Sequence, residues 1–561
     1  MKKGAFTFVL HSHLPYCRMA GRWPHGEEWL HEAASETYLP LLNALYDLKE
    51  DDYPVKLTIG LTPVLAEQLA DPLVLEHFEV YLEEKIGAAE SDIERFQRAA
   101  EPHLEYLATF YRDWYGHILD TFRDRFGRDI VGAFKKLQDE GYLEIITSAA
   151  THSYLPLLSR DSSIYGQLKA GLESYRRLFG RAPRAVWLPE CAYRPAFYAE
   201  TDGKRYYKPG LEEFLAGLDI GCFFSETHTI EGGRPVGKAA GDAIGYGEVP
   251  RRIVVPLPDY VEPTEKTTYQ PYYVAGAEVA VIGRNNRTGM QVWSADWGYP
   301  GDYDYREFHK KDGVSGLRYW RVTGARVDLG QKDTYHPDWA QYKVGEHSRH
   351  FAWLVGDLLS RYHEESGRFG IIASNYDTEL FGHWWFEGID WMREVLRILS
   401  QSEVVELTTA SDYVEEHPPE DVLALPEGSW GVGGGHWTWD NHDTRWMWQP
   451  IHQAERHMEK LVAQHPAAQG DLAAVLNQAA RELLLMQSSD WPFLVTTGQA
   501  REYAIVRFNE HLERLNRLAE MAEAGQADPI LVAELYEHDK LFPDIDYRWF
   551  GDRERIELPM G

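Results

Sequence analysis

Ala185-Val-Trp-Leu-Pro-Glu190 and Phe369-Gly-Ile-Ile-Ala-Ser-Asn-Tyr-Asp377 share one plan. A short apolar run of β type ends on a carboxylate set among aromatic residues. The first stretch continues to Tyr193, the second through Glu379 and Gly382-His383-Trp384-Trp385. Runs of this kind recur at Gly4–Leu10, Val55–Ile59, Leu143–Thr147, Gly221–Phe224, Ile253–Val255, Glu278–Ile282 and Val404–Leu407. Helical segments such as Gly166–Phe179 and Ser348–His363 lie between them. Strands alternating with helices predict an α/β fold on a parallel sheet, and the length favours a closed or nearly closed barrel. Barrel chemistry sits at the C-terminal strand ends. His11, His13, His152, Glu190 and Asp377 all fall at or just after such ends.

Two carboxylates at strand ends, walled by aromatics, suit glycosidic-bond chemistry. One protonates the leaving oxygen; the other holds or attacks the cationic sugar carbon. Pro189 keeps Leu188 out of helix and the strand end extended. Glu190 could instead be a salt-bridged barrel carboxylate. Asp377 and Glu379 share a face in an extended segment, so spacing leaves both open for the second role.

The rest of the chain falls around this frame. Residues 1–75 and 141–415 are assigned to the barrel. Residues 76–140 read as a helical insertion, because Leu104, Leu107, Tyr111, Trp114, Ile118 and Phe122 recur at helical spacing. Strand signals fade after about 415, His417-Pro-Pro419 marks a break, and 416–561 is expected to be a helical C-terminal domain. Glu231–Val249 carries six glycines and reads as a mobile loop, a candidate lid.

Composition narrows the partners. A chain of 561 residues with 44% hydrophobic and 26% charged residues is globular and long enough for several domains. A net charge of −31 argues against nucleic acid, whose phosphates need a basic surface, and fits a neutral ligand. Three cysteines form no spaced framework, so disulfides and thiolate zinc sites are not expected. The apolar run after Met1-Lys-Lys is too short for a signal peptide, and no window is long enough to span a membrane. A cytoplasmic soluble protein is expected. Aromatics reach 13%, and many tryptophans sit beside Gly, His and Asp, as expected of plates for sugar rings.

His11-Ser-His13 puts two imidazoles on one strand face. They read as pocket-lining groups; a metal pair, as in a metal-dependent amidohydrolase or deacetylase, is the competing reading, disfavoured because no acidic residue flanks them. No metal and no cofactor is expected. Trp430-Gly-Val-Gly-Gly-Gly435 and His436-Trp-Thr-Trp439 form a glycine-flexible loop carrying aromatic plates, or else a structural plug. A non-catalytic glucan-binding protein would keep the tryptophans and lose nothing on Glu190→Gln.

Several motifs together resemble glycoside hydrolase family 57, and within it the 1,4-α-glucan branching enzymes: His11-Ser-His13-Leu-Pro-Tyr16, Arg22-Trp23-Pro, Gly60-Leu-Thr-Pro63, Ala150-Thr-His152-Ser-Tyr-Leu-Pro156, Trp187-Leu-Pro-Glu190, Tyr376-Asp377 through Trp385, and Leu407-Thr-Thr-Ala-Ser411. The resemblance runs over nearly the whole chain. It implies an incomplete (β/α)7 TIM-like barrel, a helical insertion and an all-helical C-terminal domain. It implies Glu190 as nucleophile and Asp377 as general acid/base, and His11, His13, Trp23, His152, Arg284, Trp293, Gly301, Trp430, Trp439 and Asp490 as donor-glucan contacts. Tyr246 matches a loop tyrosine that shields the intermediate. The activity so implied is a retaining double displacement that cuts α-1,4-glucan and transfers the chain to a 6-hydroxyl, with the carboxyl groups about 5–5.5 Å apart. Asp377 would hold its proton near neutrality while Glu190 stays ionised. 4-α-Glucanotransferase and α-amylase are the alternatives within the family, since tenfold in transfer over hydrolysis is only about 1.4 kcal/mol.

Overall fold

A computed structural model describes residues 2–201, 204–235, 261–293, 298–324 and 326–557. Ile253–Val255 and Tyr246 lie outside them, as does most of the glycine-rich loop.

Seven parallel strands form the barrel: β1 (Gly4–Ser12), β2 (Leu57–Leu61), β3 (Leu143–Ser148), β4 (Ala185–Trp187), β5 (Cys222–Ser225), β6 (Ala280–Gly283) and β7 (Gly370–Asp377). The ladder runs β7-β1-β2-β3-β4-β5-β6. Nearly every strand residue is buried, as a sheet covered on both faces requires. Between β6 and β7 there is no full ladder. The seam closes through a single bridge just past β6, where the Asn285 N–H donates to the Ala373 carbonyl at 3.0 Å.

Each expected strand within the described residues is present, with ends shifted by a few positions. Val405–Leu407 is a strand outside the ring of seven: it pairs with Gly4–Phe6 of β1, where β2 has not yet begun. Two short strands also follow residue 416. Val422–Leu423 pairs with Tyr272–Val274, and Arg555–Glu557 joins the hairpin Phe197–Thr201/Lys204–Lys208.

Between β2 and β3 come helices Pro72–Ala99, Pro102–Asp120 and Ile130–Asp139. The first starts where the Asp71 carboxylate accepts from the N–H groups of Leu73 and Val74, with Pro72 at the first helical position. Leu107, Tyr111, Ile118 and Phe122, from the helical stripe read in the sequence, are buried. After residue 440 the chain forms helices Arg445–Gln464, Gly470–Met486, Asp490–Thr497, Arg501–Glu523 and Pro529–His538. One apolar cluster runs unbroken from Ile146, Val186 and Phe223 of the barrel to Leu483, Trp491 and Phe508 of these helices. The helical part therefore packs on the barrel as part of the same core.

Candidate active site

At the C-terminal end of the barrel lies a cavity of about 330 Å³. Strand register explains how distant residues reach it. His11 of β1 pairs with Asp377 of β7, so both end at one level, and β4 ends one turn before Glu190. His11, His13, His152, Glu190, Asp377, Trp430 and Asp490 all line the cavity. So does Glu379, the rival to Asp377, together with His25, Trp29, Glu32, Phe308, His383, Trp384, Phe493, Leu494 and Gln499.

The other expected contacts lie elsewhere among the described residues. Arg284 is buried in an ion pair with Glu226 at 3.1 Å, over the ends of β5 and β6. Trp293 ends helix Asn286–Trp293, half-buried against the barrel core. Gly301 closes the turn Tyr299–Gly301. Trp439 is fully buried and stacks on Tyr154, ring centres 4.3 Å apart, so it lies in the core and not on the cavity surface. Trp23 is 69% exposed; the Lys311 ammonium over its ring also pairs with Glu32 of the cavity at 3.0 Å.

Glu190 sits at φ 62°, ψ 22°, in the left-handed region that non-glycine residues seldom occupy. The preceding Leu188-Pro189 turn and Cys191, itself at φ 49°, hold it there. His152 is held likewise at φ 56°. Two residues whose side chains face the cavity thus carry backbone strain. Glu190 Oε2 accepts from the Trp430 indole N–H at 2.6 Å, and the Trp430 backbone N–H donates to the Glu190 carbonyl at 3.0 Å. Glu379 Oε1 accepts from the Tyr38 hydroxyl and from the His13 backbone N–H. Pinned on that oxygen from two sides, Glu379 reads as part of the wall.

The imidazoles form a column. Trp187, His11, His152 and His13 stack in sequence, with ring centres 4.7, 4.9 and 3.8 Å apart. His13 reaches Asp490 at 2.9 Å and Thr62 at 3.1 Å, joining β1 to the helical part. Across the cavity, Gly382 (φ 93°) lets the chain turn against the Glu36 carbonyl, where a Cβ would lie 1.8 Å from the oxygen. That turn delivers His383 to Glu36 at 2.7 Å and Trp384 onto Phe308 at 4.0 Å.

Burial dominates the electrostatics. It pushes the Glu190 carboxyl up to about 8, with Asp377 and Asp490 adding to the rise while the Trp430 N–H and Ser489 oppose it. Burial pushes Glu379 up to about 8 as well. His11 and His152 are held well below the usual imidazole range, by burial first and then by their neighbouring imidazoles. The expectation of an easily ionised Glu190 therefore meets a site where desolvation works against the charge. Among the described residues lining the cavity there is no Lys or Arg to offset it.

The family model described as glycosyl hydrolase family 57 matches residues 7–426. The chain belongs to this family. A second model, described as the C-terminal part of 1,4-alpha-glucan branching enzymes, matches residues 450–550. The family 57 chain is 45% identical over 546 residues to a 1,4-alpha-glucan branching enzyme of Thermococcus kodakarensis, covering 96% of this chain and 77% of that protein. Its structure is similar to that of a family 57 branching enzyme of Pyrococcus horikoshii, with TM-score 0.87, 42% identity and coverage of 99% and 98%. It is also similar to the alpha-amylase AmyC of Thermotoga maritima, with TM-score 0.81, 30% identity and coverage of 98% and 99%. The α/β barrel with its C-terminal helices is thus the family 57 architecture.

Proposed function

We propose that this protein is a 1,4-α-glucan branching enzyme. The observation that carries the reading is a pair of carboxyl groups, Glu190 and Asp377, on the ends of β4 and β7 in one cavity, in a chain whose C-terminal part matches the branching-enzyme model. Glu190 attacks the anomeric carbon while Asp377 protonates the interglucose oxygen, leaving a glycosyl-enzyme. Asp377 then takes the proton from the 6-hydroxyl of an acceptor glucan, which forms the α-1,6 branch with retention. Asp377 rather than Glu379 takes this role because it is the position that the family resemblance matches, while Glu379 Oε1 accepts from Tyr38 and the His13 N–H. Developing positive charge at the sugar would draw Glu190 toward its ionised form despite burial.

His11, His13, His152, Trp430 and Asp490 would hold the donor ring, with His383 and Trp384 beyond it. Arg284, Trp293, Gly301 and Trp439 would act through the walls they support, Trp23 at the rim, and Tyr246 from its loop. The division into barrel (1–75, 141–415), insertion (76–140) and helical domain (416–561) belongs to the same reading, as do glycogen-type synthesis and a cytoplasmic place of action. Three buried cysteines outside any disulfide are compatible with that compartment, and no helix among the described residues is long and apolar enough to cross a membrane.

The likeness to an α-amylase keeps hydrolysis as the second reading. Incubation with amylose, then debranching and chain-length analysis, separates them. New 1,6-linkages with little reducing sugar are expected. Reducing sugar alone means hydrolysis, and redistributed linear chains mean 4-α-glucanotransfer.

A further inference from the structure

Three side chains, His11, His152 and Ser489, connect the bottom of the histidine column to Glu190. His11 Nε2 lies 3.0 Å from His152 Nε2, His152 Nδ1 lies 2.9 Å from Ser489 Oγ, and Ser489 Oγ lies 3.5 Å from Glu190 Oε1. Ser489 comes from the helical part, and its backbone N–H donates to the carbonyl of His152 itself at 3.1 Å. An antiparallel bridge between Ser153 and Ser488 fixes the same junction. The Ser489 hydroxyl therefore cannot drift from His152. At the other end, His11 Nδ1 is buried with no hydrogen-bond partner among the described residues.

That sealed end gives the chain a direction. Both imidazoles are neutral, so each carries one N–H. In one arrangement His11 Nε2–H donates to His152, His152 Nδ1–H donates to Ser489, and the Ser489 O–H has the Glu190 carboxylate as its acceptor. Every donor is then paired. In the reverse arrangement Glu190 must be protonated to donate to Ser489, and His11 is left with a buried Nδ1–H facing nothing. An orphaned buried N–H is rare and costs about 1–3 kcal/mol.

We propose that Ser489 is a positioning residue that locks His152 as its Nδ1–H tautomer and aims its own hydroxyl proton at Glu190, biasing that group toward carboxylate. The proposal rests on the reading of Glu190 as nucleophile. The 3.5 Å contact is long for a hydrogen bond, and such contacts tighten when substrate seats the acceptor. Other groups face Glu190 from every packed element: Asp377 and Glu379 after β7, Asp490 beside Ser489, His11 and His13 on β1, and Cys191 next in the chain. Asp377 and Asp490 oppose its ionisation, and among the described residues the Trp430 N–H on Oε2 and Ser489 on Oε1 favour it, with His152 Nδ1 at 3.8 Å from Oε1.

The test compares wild type, Ser489→Ala and Ser489→Thr in kcat/KM against pH, with ring-15N histidine spectra read alongside. In the Ala variant the acidic limb should move up by about one pH unit, a roughly tenfold loss at pH 6 that shrinks as pH rises. The loss should fall on kcat more than KM, and Thr should restore the limb. The His152 resonance, assigned by its absence in His152→Asn, should report Nδ1–H in wild type. A loss uniform across pH, no rescue by Thr, or an Nε2–H signal in wild type overturns the proposal. If Ser489→Ala does not fold, the wild-type tautomer alone decides. Glu190→Gln in the same series keeps the two readings apart: activity surviving there would sink the nucleophile assignment, whereas the tautomer is read without turnover.

Discussion

Two buried acids in this molecule, Asp539 of the helical part and Glu190 at the barrel mouth, are held in opposite ways. In the helical part, Glu482, His511 and Asp539 come close enough that one atom from each could hold a metal ion. Arginines already serve them: Arg507 Nη2 lies 3.0 Å from His511 Nε2, and Arg514 pairs with Asp539. Although burial opposes it, these neighbours and His538 hold the Asp539 carboxyl well below the usual carboxylate range, while burial and the Asp539 charge push Glu482 beside it well above. At the barrel mouth, Glu190 and Glu379 have only neutral donors, and both are pushed up to about 8. A buried acid matched by cations is a structural brace. Glu190, left without a cation, is held ready for a charge that arrives from outside, whereas Glu379 is pinned into the wall.

The largest test of that contrast exchanges the roles. Glu190→Gln should lower transfer activity by about 10³-fold or more while the protein stays folded, and Asp377→Asn should do the same. Asp539→Ala should instead strip Arg514 of its buried partner, leaving it the more distant Glu510, and cost about 3–5 kcal/mol of stability, read as a fall in Tm. Appreciable turnover in Glu190→Gln would break the comparison outright.

Trp430→Phe comes next. It keeps the ring but removes the N–H on Glu190 Oε2, and a fall in kcat of roughly ten- to a hundredfold is expected, with a smaller change in KM. A change confined to KM would show that the indole only packs.

The pH dependence of stability sharpens the contrast at lower amplitude. Glu190 rises from about 4.3 in the unfolded chain to about 8 when folded. Between those values the folded protein keeps a proton that the unfolded chain has lost, so this group's contribution falls as pH rises and is lowest above pH 8. Glu190→Gln removes the dependence. Its Tm relative to wild type should therefore climb between pH 5 and pH 8, and a difference that stays flat would contradict the burial argument. The smallest effect is expected at Trp23→Ala, about a two- to fivefold rise in KM for long glucans with stability unchanged, because that ring is mostly exposed.

Legibility followed locality. The barrel strands announce themselves as apolar runs, and Glu190 and Asp377 stand out because each closes such a run among aromatics. The hairpin Phe197–Lys208 did not, since its third strand, Arg555–Glu557, lies about 350 residues away and nothing local demands the pairing. Phe308 and Gln499 reach the cavity from irregular segments, so no pattern marks them. Trp439 shows the opposite error. Its Gly, His and Asp neighbours in sequence suggest a surface plate, yet tertiary packing buries it completely behind Tyr154. His383 and Trp384 were visible in the motif, but only the positive-φ turn at Gly382 explains their approach.

The partners of Glu190 enter the polypeptide late. Trp430 follows it by 240 positions and Ser489 by 299. As the ribosome releases the chain from its beginning, Glu190 emerges long before the two groups that contact its carboxyl oxygens. Until the closing helices dock, a nascent barrel carrying Glu190 and Asp377 would lack the Trp430 and Ser489 groups that face Glu190.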